Sequence, residues 1–187
     1  DERFVDAHAA QRAEQQERVR AGRIGAEDAC DRGGSEQPLA ERCEAFAEGP
    51  AGAVTRDLGG SATTDGGIGM AAALGYNFLT SDGDDLEPIP GHLLALIRIE
   101  TESAIELPEI VAACDVQNLL LGPRGTAQVF SPQKGANAKD IVALEEGLLN
   151  LADVIASDLG CDFRDTPGAG AAGGLAFGLL SFCQAKI

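Results

Sequence analysis

The sequence has little positive charge, no paired cysteine motif and no long hydrophobic run. It holds 14 Lys and Arg against 30 Asp and Glu, a net charge of −16, whereas nucleic acid and anionic membranes attract clustered positive charge. The five scattered cysteines lack CxxC spacing, which is typical of reduced thiols. The longest apolar stretch, residues 168–183, is too short and glycine-rich to span a bilayer. We therefore expect a cytoplasmic protein with no nucleic-acid or membrane partner.

The composition changes near Arg56. Residues 1–56 carry eight Arg, no Lys and 12 acidic residues, with too few large apolar side chains for a core. We expect this segment to be helical at its start and otherwise poorly ordered, and residues 57–187 to form one α/β domain. The chain also begins at Asp1 rather than Met, which suggests a fragment or a processed product.

From Leu58 onward, short apolar runs lead into glycine-rich turns that open helices, the pattern of an α/β protein. The predicted helices are 66–74, 92–97, 138–159 and 169–182. The predicted strands are 76–80 and 109–115, of which the second is expected to be buried because its apolar residues are continuous. The helix at 138–159 is the clearest, because its apolar residues follow helical spacing and Asn137 and Gly160 suit its two ends. Thr64 or Asp65 is expected to cap the first helix.

A first glycine-rich segment, LGGSATTDGG, begins at Leu58. Glycines let backbone N–H groups point into one concavity, hydroxyls add donors, and the following helix adds its positive end. The donors expected to bind a phosphate or a carboxylate are Gly59, Gly60, Ser61, Thr63 and Thr64. The structural alternative is a tight connection between a strand and a helix. The segment matches neither a Walker loop nor a dinucleotide-binding motif.

A second segment, GPRGTAQVFSPQKG, supplies Arg124 and Lys134. Only six basic residues face 18 acidic ones after Arg56, so these two cations are candidates for binding an anion. An ordinary surface turn is the alternative.

A third segment, RDTPGAGAAGG, begins at Arg164. Thr166 can start the last helix, and Gly168 and Gly170 leave its beginning bare enough for a ligand to approach. Close helix packing explains these glycines equally well, and Arg164 can simply pair with Asp165.

The motifs occur in four consecutive segments: GGSATTDGGIGMAAALG, ACD with Asn118 and LLGPRG, FSPQKGA and DTPGAGAAGGLAFGLLSF. Read together, they resemble consecutive signatures of the bacterial (type I) glycerate kinase family. The resemblance runs from Leu58 to about Phe182 and covers the central portion of such a protein. It implies part of a three-layer α/β fold with a mixed or parallel sheet, lacking the N- and C-terminal parts of the family's second domain. Residues 1–56 show no family signature, and a foreign or frame-shifted origin is our hypothesis for them.

The resemblance also implies an activity. Members of this family transfer the γ-phosphate of ATP to a hydroxyl of D-glycerate with Mg²⁺, so ATP, Mg²⁺ and D-glycerate are the expected ligands. When this activity is assigned to the motifs, the resemblance implies that Lys134, Asp65 and Asp115 are catalytic candidates. Asp115 is then the expected metal ligand, and Arg124 assists Lys134. Gln117 and Leu119 stand where the family has Asp and Pro. The resemblance also implies that the site lies in a cleft between two α/β domains. Half of such a cleft neither holds both substrates nor excludes water, so we expect weak or no turnover from this chain alone. The alternative is an inactive remnant that binds an anion or a nucleotide. A kinase for another small hydroxy acid and an assembly of identical chains are left open.

Overall fold

The computed structural model describes residues 53–58, 61–104 and 107–187. The expectations for residues 1–52, and for Gly59 and Gly60, lie outside these ranges. The described elements, in chain order, are β1 Ala53–Asp57, α1 Ile68–Ala73, β2 Asn77–Leu79, a 3₁₀ helix Pro90–Ala95, β3 Arg98–Glu100, β4 Glu109–Ala113, α2 Thr126–Phe130, a 3₁₀ turn Pro132–Lys134, α3 Ala138–Asp158 and α4 Ala171–Cys183.

The described strands form two small sheets. β1 runs parallel to β4, with Ala53 opposite Glu109, and β2 runs antiparallel to β3. Residue Lys186 extends the first sheet, because its backbone bonds to both Ile110 and Ala112 on β4. The α/β class is confirmed, and β1 crosses the domain boundary predicted at 56/57. The strand predicted at 109–115 is present as β4, but the expectation that it is buried is wrong, since Ala112 alone is buried.

The prediction for the long helix α3 is confirmed. The side chain of Asn137 accepts hydrogen bonds from the backbone N–H groups of Lys139 and Asp140, and the Asp140 side chain accepts one from the Asn137 N–H, which completes a capping box. Its inner face packs on the 3₁₀ helix Pro90–Ala95, where the Asn150 amide donates to the carbonyl oxygens of Leu93 and Leu96, at 2.8 Å each. The Asp158 side chain of α3 accepts a hydrogen bond from the Ile99 N–H of β3 at 2.8 Å, which ties α3 to the β2–β3 sheet.

The last helix, α4, is buried over nearly its whole length. Its first turn is not the regular helix that the sequence predicts, because Ala172, Gly173 and Gly174 have φ values of 53°, 76° and 85°. The reason is a close approach between backbones: the Gly66 N–H donates to the Gly173 carbonyl oxygen at 3.1 Å. Arg164 forms ion pairs with Asp153 and Asp162, so the alternative of a pair with Asp165 is wrong. None of the helices in the described ranges combines the length and hydropathy needed to cross a membrane.

Candidate active site

Asp65 organises the loop that precedes α1. It is buried, with 8% of its surface exposed, and its two carboxylate oxygens accept hydrogen bonds from the N–H groups of Gly67 at 2.9 Å and Gly69 at 3.3 Å. The helix proper begins after Gly67, yet it is Asp65 that satisfies these amide donors, as a capping side chain does. Both carboxylate oxygens therefore accept backbone hydrogen bonds, one from the loop and one from the first turn of α1.

Lys134 reaches this loop from the second segment. The turn Pro132–Lys134 ends at Gly135, whose φ of 94° reverses the chain, and the Lys134 ammonium donates a hydrogen bond to the carbonyl oxygen of Thr63. Burial lowers the pKa of the Lys134 ammonium, and the nearby negative charge of Asp65 opposes the shift. An ammonium has three N–H donors, so Lys134 keeps donors that can serve a ligand.

A second contact joins the same two segments. The Ser131 hydroxyl donates to the Thr64 hydroxyl at 3.1 Å, and both side chains are buried. Thr64 thus serves as a structural contact within the protein, whereas Ser61 bonds locally to the Thr63 carbonyl oxygen at 3.1 Å.

The third segment closes the arrangement from the opposite side. Besides the bond between Gly66 and Gly173, a Cβ atom on Gly173 would overlap the Thr63 carbonyl oxygen and lie 2.8 Å from Lys134 Nζ. The backbone at Gly173 can come this near to the loop and the ammonium only because it carries no side chain. The three glycine-rich segments therefore meet at one place.

A cavity of about 210 Å³ opens where these segments meet. Its lining residues are Leu58, Ser61, Asp115, Val116, Phe130, Gln133, Lys134, Ala171, Ala172 and Gly173. Lys134 and Asp115 place opposite charges in the lining of this cavity. The volume is below the roughly 300–1,000 Å³ typical of drug-sized ligand pockets, which suits a small acid or the end of a phosphate chain.

The structure brings some of the predicted site residues together and separates others. Ser61, Asp115 and Lys134 line the cavity, and Thr63, Thr64 and Asp65 support the loop beside it. Gly59 and Gly60 lie outside the described residues.

Arg124 and the two glycines before α4 do not line the cavity. Arg124 lies on an exposed turn, where its carbonyl oxygen accepts a hydrogen bond from Asn118 at 2.7 Å. Gly168 packs near Cys114, and the Gly170 N–H donates to the Asn118 carbonyl oxygen at 2.9 Å. The close contacts of Gly168 and Gly170 match the packing alternative for these glycines.

Sequence reasoning missed several residues of the site. Five residues of the cavity lining were not predicted: Val116, Phe130, Gln133, Ala171 and Ala172. Ser131, which anchors the turn of Lys134, was also missed. Their one signal in the sequence is that they lie within or beside the family motifs.

The site offers limited ligands for a metal ion. In the part of the chain that the structure describes, no three His, Cys, Asp or Glu side chains cluster closely enough to hold one. Mg²⁺, however, is commonly bound by one or two carboxylates together with substrate phosphates. Asp115 fits that pattern, because it lines the cavity and, among the described residues, its carboxylate shares no hydrogen bond or ion pair.

Comparison with known proteins identifies a family. The sequence model of the glycerate kinase family matches residues 45–187, which include residues 45–56 of the segment set apart by composition. The glycerate kinase of Bacillus subtilis (strain 168) is 44% identical over 133 residues, covering 70% of this chain and 35% of the relative. The glycerate 2-kinase of Escherichia coli (strain K12) is 41% identical with the same coverage. The chain thus spans 35% of the length of these curated relatives.

The fold leads to the same family. A crystal structure described as a glycerate kinase 2 from Salmonella typhimurium LT2 aligns with a TM-score of 0.67 and 39% identity, covering 71% of this chain and 37% of that chain. The resemblance seen in the motifs is confirmed. The chain belongs to the glycerate kinase family.

Proposed function

We propose that this chain carries the phosphate-handling part of a kinase that transfers the γ-phosphate of ATP to a hydroxyl of D-glycerate, giving phosphoglycerate. The supporting observation is a single cavity that holds Lys134 and Asp115 where three family segments meet. Residues 57–187 form the kinase-like domain in this proposal, and the cytoplasm is its location. The relatives' names supply the substrate.

Phosphoryl transfer requires little covalent chemistry from the protein, so positioning and charge neutralisation supply most of the rate acceleration. We assign charge neutralisation to Lys134. Its ammonium sits in the cavity wall with free donors and offsets the negative charge that develops on the transferring phosphoryl group. The backbone N–H groups of residues 61–64 bind a neighbouring anion in this proposal.

Asp115, rather than Asp65, is our choice for the metal ligand. The Asp65 oxygens already accept backbone hydrogen bonds, whereas Asp115 lines the cavity. When bound, Mg²⁺ neutralises charge on the ATP phosphates. Asp65 contributes its charge, which favours the protonated form of Lys134.

A coupled assay of ADP release with D-glycerate tests the proposal. We expect weak, saturable release by the wild-type chain, and a loss of about a hundredfold or more in Lys134→Met, the size associated with removing one electrostatic stabiliser. Lys139→Met is the matched control, because Lys139 lies exposed on α3 and does not line the cavity. Equal turnover in the two variants would contradict the role of Lys134. A panel of other small hydroxy acids tests the substrate.

The second candidate is a binding remnant without turnover. It is favoured by the volume of the cavity, which is below that of pockets for drug-sized ligands. A rise in Tm with ATP and Mg²⁺ but no ADP release, at any D-glycerate concentration, would support this candidate.

A further inference from the structure

Two hydrogen bonds join the loop before α1 to the turn that carries Lys134. Ser131 donates to the Thr64 hydroxyl, and Lys134 donates to the Thr63 carbonyl oxygen. The two acceptors are neighbours in the chain. Of the two donors, Ser131 immediately precedes the 3₁₀ turn and Lys134 ends it. The bonds therefore form a double link between two segments that are far apart in sequence.

The two bonds differ in their access to solvent and ligand. Ser131 and Thr64 are 1% and 4% exposed, so water does not compete for their bond. Lys134 lies in the cavity wall, where an anion would compete with Thr63 for the ammonium. The Ser131 carbonyl oxygen also accepts hydrogen bonds from the N–H groups of Lys134 and Ala136, at 3.0 and 3.1 Å. Ser131 thus holds the turn through both its side chain and its backbone.

We propose that Ser131 is a positioning residue, which keeps Lys134 in the cavity wall through its buried hydrogen bond to Thr64. Ser131 does not line the cavity and need not touch a ligand. When the Lys134 ammonium turns from Thr63 toward an anion, the bond between Ser131 and Thr64 keeps the turn against the loop. The effect on ligand binding rests on the proposed function, whereas the placement of Lys134 does not.

The placement is tested without any ligand, by NMR titration of the full chain labelled with ¹³C at lysine Cε. The chain has three lysines, Lys134, Lys139 and Lys186, so three signals are assigned. Burial lowers the pKa of Lys134, while Asp65 opposes the shift and Asp115 faces the same cavity. In Ser131→Ala we expect the Lys134 midpoint to move up toward the value of a solvated lysine.

Two further variants make this test specific. Thr64→Val removes the partner hydroxyl with little change in shape and should produce the same upward movement, and the double variant should move no further. Ser181→Ala is the matched control: its hydroxyl is buried and, within the described residues, has no hydrogen-bond partner. It should leave the Lys134 midpoint unchanged. Unchanged Lys134 midpoints in Ser131→Ala and Thr64→Val would overturn the proposal. If Ser131→Ala does not fold, the midpoint in Thr64→Val provides the test by itself.

Calorimetric titration with ATP and Mg²⁺ separates this inference from the proposed function. Losing one net hydrogen bond corresponds to about fivefold weaker binding in Ser131→Ala. If the wild-type chain binds no ATP, the proposed function fails, while the Lys134 midpoint still decides whether Ser131 positions this residue.

Discussion

The backbone N–H of Gly66 donates to the carbonyl oxygen of Gly173 at 3.1 Å, and this bond joins the first and third glycine-rich segments. Both residues have positive φ, 66° and 76°, which residues with side chains rarely adopt. The proximity of Lys134 to the backbone of Gly173 depends on this contact.

Gly173→Ala is expected to lower the free energy of unfolding by about 3 kcal/mol or more, because a left-handed conformation and an overlap with the Thr63 carbonyl oxygen add together. Gly160→Ala is the matched control. Gly160 has a similar φ of 69°, but no atom lies within 4 Å of its added Cβ, so a loss of about 1 kcal/mol is expected. Equal losses in urea unfolding would contradict the tight contact at Gly173.

Asp65 and Asp115 should respond differently to removal of the carboxylate. Asp65→Ala is expected to cost about 2 kcal/mol of unfolding free energy, because two backbone N–H groups lose their acceptor. Asp115→Ala should change stability by less than about 0.5 kcal/mol, since Asp115 is exposed. Chemical denaturation of both variants provides the comparison. A stable Asp65→Ala variant would mean that Asp65 does not organise the loop.

Cys183 should make the fold sensitive to alkali. Burial raises the pKa of the Cys183 thiol from 9.0 to about 11. Above pH 9 the unfolded chain loses this proton while the folded chain keeps it, so stability falls as the pH rises from 9 to 11. The loss is of the order of 2 kcal/mol.

Cys183→Ala should lose correspondingly less stability over this window in urea titrations, whereas Cys114→Ala, which retains Cys183, should behave as the wild type does. An identical alkaline loss in Cys183→Ala would show that Cys183 is not responsible.

The capping box of α3 gives a further prediction. Asn137→Ala should lower the unfolding free energy by about 1 kcal/mol, and Asn137→Ser should restore most of it, because serine is an equally good N-cap. Thermal unfolding of the wild type, Asn137→Ala and Asn137→Ser measures both effects. A failure of serine to rescue would indicate that Asn137 acts through something other than its cap.

The helix α3 was predictable because its signals are local: the cap, the apolar spacing and the terminating glycine all lie within or beside the helix itself. The first turn of α4 was not, since Ala172–Gly174 leave helical geometry in response to a contact with residue 66, more than 100 positions away. The family motifs indicated which segments belong to the site. They did not distinguish Asp65 from Asp115, because the difference lies in which backbone N–H groups each carboxylate meets.

The same limit applies to Ser131. Its buried partner, Thr64, belongs to another motif, and neither sequence position alone indicates a hydrogen bond between them. Side-chain contacts across the fold depend on the relative placement of the segments, which composition and spacing do not encode.

The central claim is that Lys134 and the loop beside it form one site for the phosphates of ATP. Isothermal titration calorimetry of the chain with ATP and Mg²⁺ tests it most directly, with Lys134→Met and Lys139→Met as variants. The account predicts saturable binding by the wild type and by Lys139→Met, and binding at least about tenfold weaker in Lys134→Met. Binding of equal strength in Lys134→Met would contradict it.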